Sequence, residues 1–427
     1  MKHIYIFGNL SRGVPYRVGT YIDQLLRIKS PDITMHVVYL NANVPEVTVS
    51  RKEGIEHILF PSPVLVPHNN ISTESYQTNI IRILHQHIDT QADNVFHLNY
   101  LDSLALAKSI KKYLNGKIVF TIHYSQSLFN LGGDVAKLHE IISTPKADNE
   151  LPVYAFAREE IAMVKNIIDC VDQVISVAHH SFALNNNIYE IETGKNVVIH
   201  NALEDTATPL PAKIELRKEL GICCTGKIII FAGRLDEIKG LQCLLQALTI
   251  LKKKSLDFHL LIAGRGEFDV VMSYAQDLYT NITFTGFLNK DRLYQLFSVA
   301  DIGVVPSLYE EFGYVTLEMM MHQLPVIAYD TTGSAEIVDD GNTGLLAKIQ
   351  FDQPKESIQD LADKIESLLA CSKKCHQMGQ TGRQRFLDYF SSEKFMEKMS
   401  DLYSSLWKKE DKIKRVSLSE QSSLAEI

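Results

Sequence analysis

The sequence predicts an α/β protein made of two doubly wound, Rossmann-like domains that face each other across a cleft. Short apolar runs bounded by polar turns alternate with segments of helical periodicity, the pattern of parallel strands buried on both faces. The alternation occurs twice, up to about residue 200 and again from 227, with an aperiodic stretch carrying two prolines in between. A chain of 427 residues is also too long for one ordinary core and long enough for two.

In the first half, HIYIF (3–7) reads as a strand, followed by the Gly-containing loop 9–19 and a helix over 20–29 with Tyr21, Ile22, Leu25, Leu26 and Ile28 on its apolar side. MHVVYL (35–40) is the next strand, and a polar excursion extends to about residue 70. NVFHLN (94–99), KIVFTIH (117–123) and QVISVA (173–178) read as buried strands, with helices over 103–114 and 158–169 between them. Strands alternating with helices imply parallel sheets with right-handed crossovers. Residues 201–226 read as an interdomain linker joined to a short helix, IELRKEL. In the second half, strands are expected at 227–233, 258–264, 282–286, 301–307 and 324–330, with a helix over 240–254. The tail 408–427 is polar and reads as poorly ordered.

Apolar residues make up 45% and charged residues 22% of the chain, the profile of a soluble globular protein, and a net charge of −8 argues against a nucleic-acid partner. The opening apolar run ends at Gly8, shorter than a signal-peptide core, and no stretch approaches the ~18 apolar residues of a membrane span. The six cysteines form no regular framework, which predicts free thiols in a reducing cytoplasm. Cys371 and Cys375 lie one helical turn apart, but no second pair completes a metal site. The 15 histidines contain no H-E-x-x-H, and the chain has no D-x-D. His179-His180 and His85/His87 read as helix-start or surface residues. Lys252–Lys254 and the lysines after 408 could touch an anionic membrane surface, although a solvated helix end and a solubilising tail are the plainer readings.

Ligands of open α/β sheets bind beyond the carboxyl ends of the strands, so the residues there are the candidates. Gly233 ends one strand, and Arg234 and Lys239 follow just before a helix; two cations beside free helix amides suit a diphosphate, although taken alone a solvated strand-to-helix turn is the plainer reading. Gly264 and Gly266 form a lone G-x-G, which shows only that the backbone runs close to something. After Gly286, Phe287 could offer its backbone to a base and Leu293 an apolar wall, or both could simply pack. The stretch SLYEEFGYVTLE then puts Glu310 in a loop and Glu318 on the second turn of a helix beginning at Tyr314-Val315. On helical geometry the two acids stand ~12 Å apart, too far to share a proton. Each is therefore expected to meet its own hydroxyl-bearing partner, with the amides of Phe312, Gly313 and Tyr314 open to a phosphate between them. Ser334 is expected to cap a helix starting at Ala335-Glu336.

FAGRLDEIKG, FTGF, SLYEEFGYVTLE and PVIAYDTTGSAEIVDDGNTGLL resemble, in order and spacing, the signature of glycosyltransferase family 4, retaining enzymes of the two-Rossmann GT-B architecture. The likeness covers most of 227–350 and extends more weakly into VFHLN, VFTIH, DQVISVA and VVIHNALE. It implies that Glu310 binds donor-sugar hydroxyls and Glu318 the ribose. Arg234 and Lys239 would grip the diphosphate, and His123 would lie beside the donor sugar. Gly8 and Gly13 would belong to a glycine-rich loop near the phosphates. Gly233, Gly264, Phe287, Leu293, Phe312, Gly313, Tyr314 and Val315 would complete the donor site. The segment 390–407 would cross back onto the first domain. The chain departs from the family pattern in three places: loop 9–19 lacks adjacent glycines, Ala202 follows Asn201 where glycine is usual, and Tyr124 follows His123 where an acid is common.

The implied activity is transfer of a sugar from a UDP- or GDP-sugar to a hydroxyl-bearing acceptor, with no metal and no cofactor, the nucleotide sugar being a substrate. The acceptor could be a glycan, a lipid-linked glycan, a peptide or a small molecule. A non-catalytic partner subunit should have lost some of Arg234, Lys239, Glu310 and Glu318, all of which are present. A nucleotide-sugar epimerase of the same architecture would need an acid/base set in the first domain. A dinucleotide oxidoreductase is disfavoured because neither half shows G-x-G-x-x-G after a strand.

Overall fold

The structure is a computed structural model that describes residues 2–10, 17–63, 73–207, 213–222, 226–275 and 277–423, without the side chains of 17, 270, 332 and 408–423. The first half holds β1 (Lys2–Asn9), β2 (Ile33–Ala42), β3 (Thr48–Lys52), β4 (Ile55–Pro61), β5 (Asp93–Leu98), β6 (Lys117–Ile122), β7 (Gln173–Ser176) and β8 (Asn196–Val198). They form one sheet in the order β3-β4-β2-β1-β5-β6-β7-β8, parallel except for β3. The second half holds β9 (Lys227–Ala232), β10 (Phe258–Ala263), β11 (Ile282–Gly286), β12 (Ile302–Val305), β13 (Val326–Tyr329) and β14 (Gly344–Ala347). These run parallel in the order β11-β10-β9-β12-β13-β14.

Strand periodicity sorts each sheet onto two cores. Tyr5 and Phe7 of β1 join one apolar cluster, while Ile4 and Ile6 join the cluster on the opposite face. In the second sheet Ile228 and Ile230 face one way, Ile229 and Phe231 the other. A central strand is therefore apolar on both faces at most positions, which is why these runs stand out in the sequence.

Two features depart from the sequence reading and one agrees with it. The polar excursion after β2 contains the antiparallel pair β3–β4. Every residue of β3 is exposed, so no burial imposed an alternation that could be read, and its short, charged TVSRK suits a sheet edge. The short helix expected at IELRKEL is present within the segment 201–226. This helix, Lys213–Glu219, docks on the second sheet, with Leu216 in the core and Asp301 accepting from Lys213 Nζ at 2.9 Å and Arg217 at 2.8 Å. The final helix runs Ser392–Ser423, so its backbone remains helical well into the polar tail. That tail is rich in Lys and Glu, good helix formers whose propensity can outweigh low hydrophobicity.

The same helix lays Phe395, Met399, Leu402, Tyr403, Leu406 and Trp407 against Ile4, Ile6, Val95 and Val119 of the first sheet. Their spacing is one apolar helical stripe. The chain thus crosses between the halves twice, and the crossings touch: Leu203 N–H donates to Phe390 O at 3.1 Å and Ser392 N–H to Leu203 O at 3.1 Å. Lys252 bonds the Asp277 carbonyl and Lys254 pairs with Glu366 at 2.5 Å, so two of the three lysines at 252–254 are turned to intramolecular partners. Among the described residues no helix is long and apolar enough to cross a membrane.

Candidate functional site

The carboxyl ends of β9 and β12 build one wall of the site. Beyond β9 the chain passes Gly233 and Arg234, makes a tight turn over Glu237–Lys239 and enters the helix Leu241–Lys253. Asp236 fixes the turn by accepting from Lys239 N–H at 3.2 Å. Gly240 takes φ 66°, and a Cβ there would fall 1.8 Å from the Pro306 carbonyl oxygen, so only glycine lets the turn reach the loop after β12. That approach brings Lys239 Nζ onto Glu310 Oε1, which also accepts from Ser307 Oγ at 3.0 Å. Both charged residues are buried, at 7% and 4% exposure. Lys239 therefore meets the candidate sugar-binding acid, whereas the sequence reading aims it at a diphosphate.

Arg234 stays accessible. Its guanidinium pairs with Asp236 at 2.8 Å and lies 5.1 Å over the ring of Phe129, a residue of the first half, so it reaches across the cleft. The glycines beside it answer a structural need: a Cβ on Gly264 would come 1.7 Å from Gly233 O, and Gly264 N–H donates to Gly286 O at 2.9 Å. The backbone that Gly264 approaches is thus the end of the neighbouring strand. Phe287 is 58% exposed with the Arg265 guanidinium 4.3 Å above its ring, a contact the sequence reading missed. Leu293 is half-buried and packs onto the second-domain core.

The loop after β12 is held from both sides. Gly313 at φ 105° ends it and leads into the helix Tyr314–Met321. On the helix Thr332–Ile337, a Cβ at Gly333 would fall 2.4 Å from the Phe312 backbone, so glycine lets the helix pack against the loop, and the Gly333 N–H donates to Glu310 O at 2.7 Å. That helix starts at Thr332, so Ser334 lies inside it and does not cap it. Phe312 is buried against Tyr314 and Phe390, with Tyr314 and Val315 packed on the same core. Among the described residues the amides of Phe312 and Gly313 have no acceptor. Glu318 is half-buried, accepts from Tyr294 OH at 3.2 Å, and raises that phenol's pKa together with the larger effect of burial.

Glu311 is a second buried acid in this loop that the sequence reading left unassigned. Tyr309 OH donates to it, and burial followed by the nearby carboxylate pushes the Tyr309 phenol far up, keeping it a donor. Tyr309 packs into the first-domain core, so the loop bearing Glu310 is plugged into the opposite half.

On the first-half wall, His123 follows β6 and is half-buried. Its Nε2 bonds Asn99 Oδ1 at 3.1 Å and its ring meets Tyr21 edge-on at 4.6 Å. Loss of solvation holds its pKa down to about 3, so the imidazole is neutral. Behind it, His97 is fully buried between Tyr403 OH and Thr121 Oγ1, each at 2.7 Å, and is likewise held at about 3 by burial and then by His123. Gly8 belongs to β1 itself, where a Cβ would sit 2.7 Å from the Tyr39 ring; its smallness serves packing. Gly13 lies outside the described residues.

One junction between the halves has no counterpart in the sequence reading. Glu336, on the helix Thr332–Ile337, accepts from His179 N–H at 2.7 Å, from His180 N–H at 3.2 Å and from the His200 ring. It caps the helix His179–Tyr189, whose own Ala178 offers no cap. Burial works to raise the Glu336 pKa, but His180, His200 and the amides outweigh it and hold the carboxyl far below its ordinary range. His179, His200 and Glu336 are also the one group among the described residues whose donor atoms, within 4.8 Å of one another, could hold a metal. Both carboxylate oxygens already accept N–H bonds. A cavity of about 280 Å³ lined by Lys213, Lys227 and Asp301 lies at the amino ends of β9 and β12, away from the cleft residues.

Residues 212–385 match the model of the family described as glycosyl transferases group 1. The chain is 30% identical over 161 residues to the alpha-D-kanosaminyltransferase of Streptomyces kanamyceticus, covering 37% of this chain and 40% of that protein. It is 26% identical over 268 residues to spore coat protein SA of Bacillus subtilis, covering 58% and 69%. It is 25% identical over 318 residues to the N-acetyl-alpha-D-glucosaminyl L-malate synthase of Bacillus anthracis, covering 73% and 74%. The chain thus spans from 40% to 74% of the length of these relatives. In structure it is similar to a sucrose-phosphate synthase from Thermosynechococcus elongatus, with TM-score 0.73, 20% identity and 95% and 99% of the two chains covered. It is also similar to Anabaena HepE solved with UDP, with TM-score 0.69, 17% identity and 95% and 100% covered. The fold is therefore GT-B.

Proposed function

We propose, from the membership of residues 212–385 in the glycosyl transferases group 1 family, that this protein moves a hexosyl group from a nucleoside diphosphate sugar to a hydroxyl-bearing acceptor. UDP is the favoured carrier, since HepE, which shares the fold, was solved with UDP and with UDP-glucose; GDP is the second candidate. The observation that carries the reading is the buried Lys239–Glu310 pair, set beside the acceptor-free amides of Phe312 and Gly313 and the accessible Arg234.

Transfer breaks the anomeric C–O bond and leaves negative charge on the departing diphosphate. Arg234 and the amides at the start of the helix Tyr314–Met321 would stabilise that charge, with no metal required. Glu310, held in place by Lys239 and Ser307, would accept from sugar hydroxyls and orient the ring; Glu318 would do the same for the ribose. Retention follows the family resemblance, and no enzyme nucleophile is assigned. Neutral His123 faces the donor from the first domain, and closure over the site would exclude water. The acceptor is a glycan, a lipid-linked glycan, a peptide or a small molecule, and the reaction is placed in the cytoplasm.

Glu310→Ala tests this reading with the nucleotide sugar that most raises the melting temperature of the protein. Removing one group that stabilises a transition state commonly costs ~3–4 kcal/mol, so transfer should collapse while nucleotide binding survives. Near-normal turnover would remove the assignment. In the native protein, conversion of the donor to its epimer without acceptor glycosylation would favour the epimerase, and binding of the donor with no turnover at all would favour a non-catalytic partner.

A further inference from the structure

We propose that Asn99 is a positioning residue that decides which nitrogen of His123 carries the proton. Asn99 follows the end of β5 and is 1% exposed. Its side-chain Nδ2 donates to Phe7 O at 3.1 Å and to His97 O at 3.4 Å. Carbonyl oxygens only accept, so the amide cannot be turned over without setting oxygen against oxygen in a buried place. Its Oδ1 is therefore committed to His123 Nε2, 3.1 Å away. An amide oxygen also only accepts, so Nε2 must bear the hydrogen. Because the ring is neutral, Nδ1 is left with a bare lone pair.

The surroundings keep that state. Tyr21, on the helix Arg17–Leu25, meets the ring edge-on, and its OH is turned to Thr121 Oγ1 at 3.1 Å. His97 on β5 is engaged by Thr121 and by Tyr403 of the terminal helix. Among the described residues no carboxylate bonds His123, so nothing nearby favours the imidazolium. The terminal helix, β5 and β6 thus meet behind one ring, and Asn99 links that ring to the backbone of β1.

The chemical consequence rests on the function proposed above. A ligand group meeting Nδ1 must be a donor, such as a hydroxyl, because a phosphate oxygen would face a lone pair. His123 would then recognise the sugar by accepting a hydrogen bond and could not protonate the leaving group.

The test is nitrogen NMR of the full chain labelled with 15N-histidine, with His123 identified by the signals lost in His123→Gln. The expected spectrum near neutral pH shows His123 protonated at Nε2 and bare at Nδ1. Asn99→Leu should bring in the opposite tautomer, and Asn99→Asp should convert the ring to the imidazolium at a pH where the native ring is neutral. An Nδ1-protonated His123 in the native protein, or unchanged signals in a folded Asn99→Asp, would overturn the proposal. In turnover, Asn99→Asp should lower kcat at least tenfold with donor KM changed less than threefold; unchanged kcat beside a changed tautomer would also overturn the positioning role. If the spectra behave as expected in a protein that transfers no sugar, the function reading fails and the tautomer assignment stands.

Discussion

Lys239 and Glu310 stand 71 positions apart in the chain and meet as a buried ion pair at the junction of two strand-end loops. Burying two charges is offset by their contact and by Ser307, and removing one partner takes away the charge that offsets burial of the other. Lys239→Ala should therefore destabilise the second domain by about 3–5 kcal/mol, and Lys239→Met with Glu310→Leu should recover most of that. Urea unfolding followed on second-domain probes measures it. Equal losses in the single and double variants would show that the pair is not coupled.

Arg234 is held by one acid and one aromatic face, both near the surface. Arg234→Ala should leave stability within about 0.5 kcal/mol. It should also weaken UDP or GDP binding by about tenfold to a hundredfold, the ~1.5–3 kcal/mol of a charged hydrogen bond. Titration calorimetry reads the second effect. Arg234→Lys should restore it only in part, because a lysine lacks the forked donors of the guanidinium that lies over Phe129.

His97 titrates at about 3 in the fold and near 6.5 when unfolded. Its folded pKa is lowered, so the unfolded chain binds the extra proton, and stability falls as pH drops below 6.5 until the folded pKa is reached. The native protein should lose about 2 kcal/mol between pH 7 and pH 5 from this residue alone. His97→Gln should be less stable at pH 7 but show a flatter pH dependence. Parallel slopes for the two proteins would contradict the account.

Glu336 carries the opposite sign. Its folded pKa is depressed, so its contribution is present above the ordinary carboxylate range and is lost as pH falls through the folded value. Glu336→Gln should loosen the contact with His179, His180 and His200 and cost about 1–3 kcal/mol. Hydrogen exchange at the His179 and His180 amides should rise in the variant. Unchanged protection would show that the capping bonds do not hold this junction.

Metal-free transfer is part of the proposed function. EDTA-treated protein should keep full turnover, and loss of activity restored by a divalent cation would reverse that view.

Much of this architecture is legible in the sequence because strands buried on both faces are apolar at most positions, as in KIIIFA of β9 and KIVFTI of β6. β3 escaped notice because exposure on all its residues leaves no pattern. The motif acids were legible as residues but not as partners: nothing local to Glu310 announces Lys239. Glu336 and His200, 136 positions apart, carry no local signal at all, since their meeting depends on how the two halves pack. The closeness of Gly264 to other backbone was readable from a residue that lacks a side chain, yet its neighbour, Gly233, could be named only from the fold. The network of His97, Thr121, Tyr403 and Asn99 joins two strands and the last helix, and its parts look like ordinary core residues in the sequence.

The most direct measurement is a crystal structure of the protein soaked with whichever of UDP or GDP raises its melting temperature most. The account predicts diphosphate oxygens within hydrogen-bond distance of the Arg234 guanidinium and the Phe312–Gly313 amides, with the ribose at Glu318. Nucleotide density elsewhere, with Arg234, Lys239, Glu310 and Glu318 untouched, would contradict it.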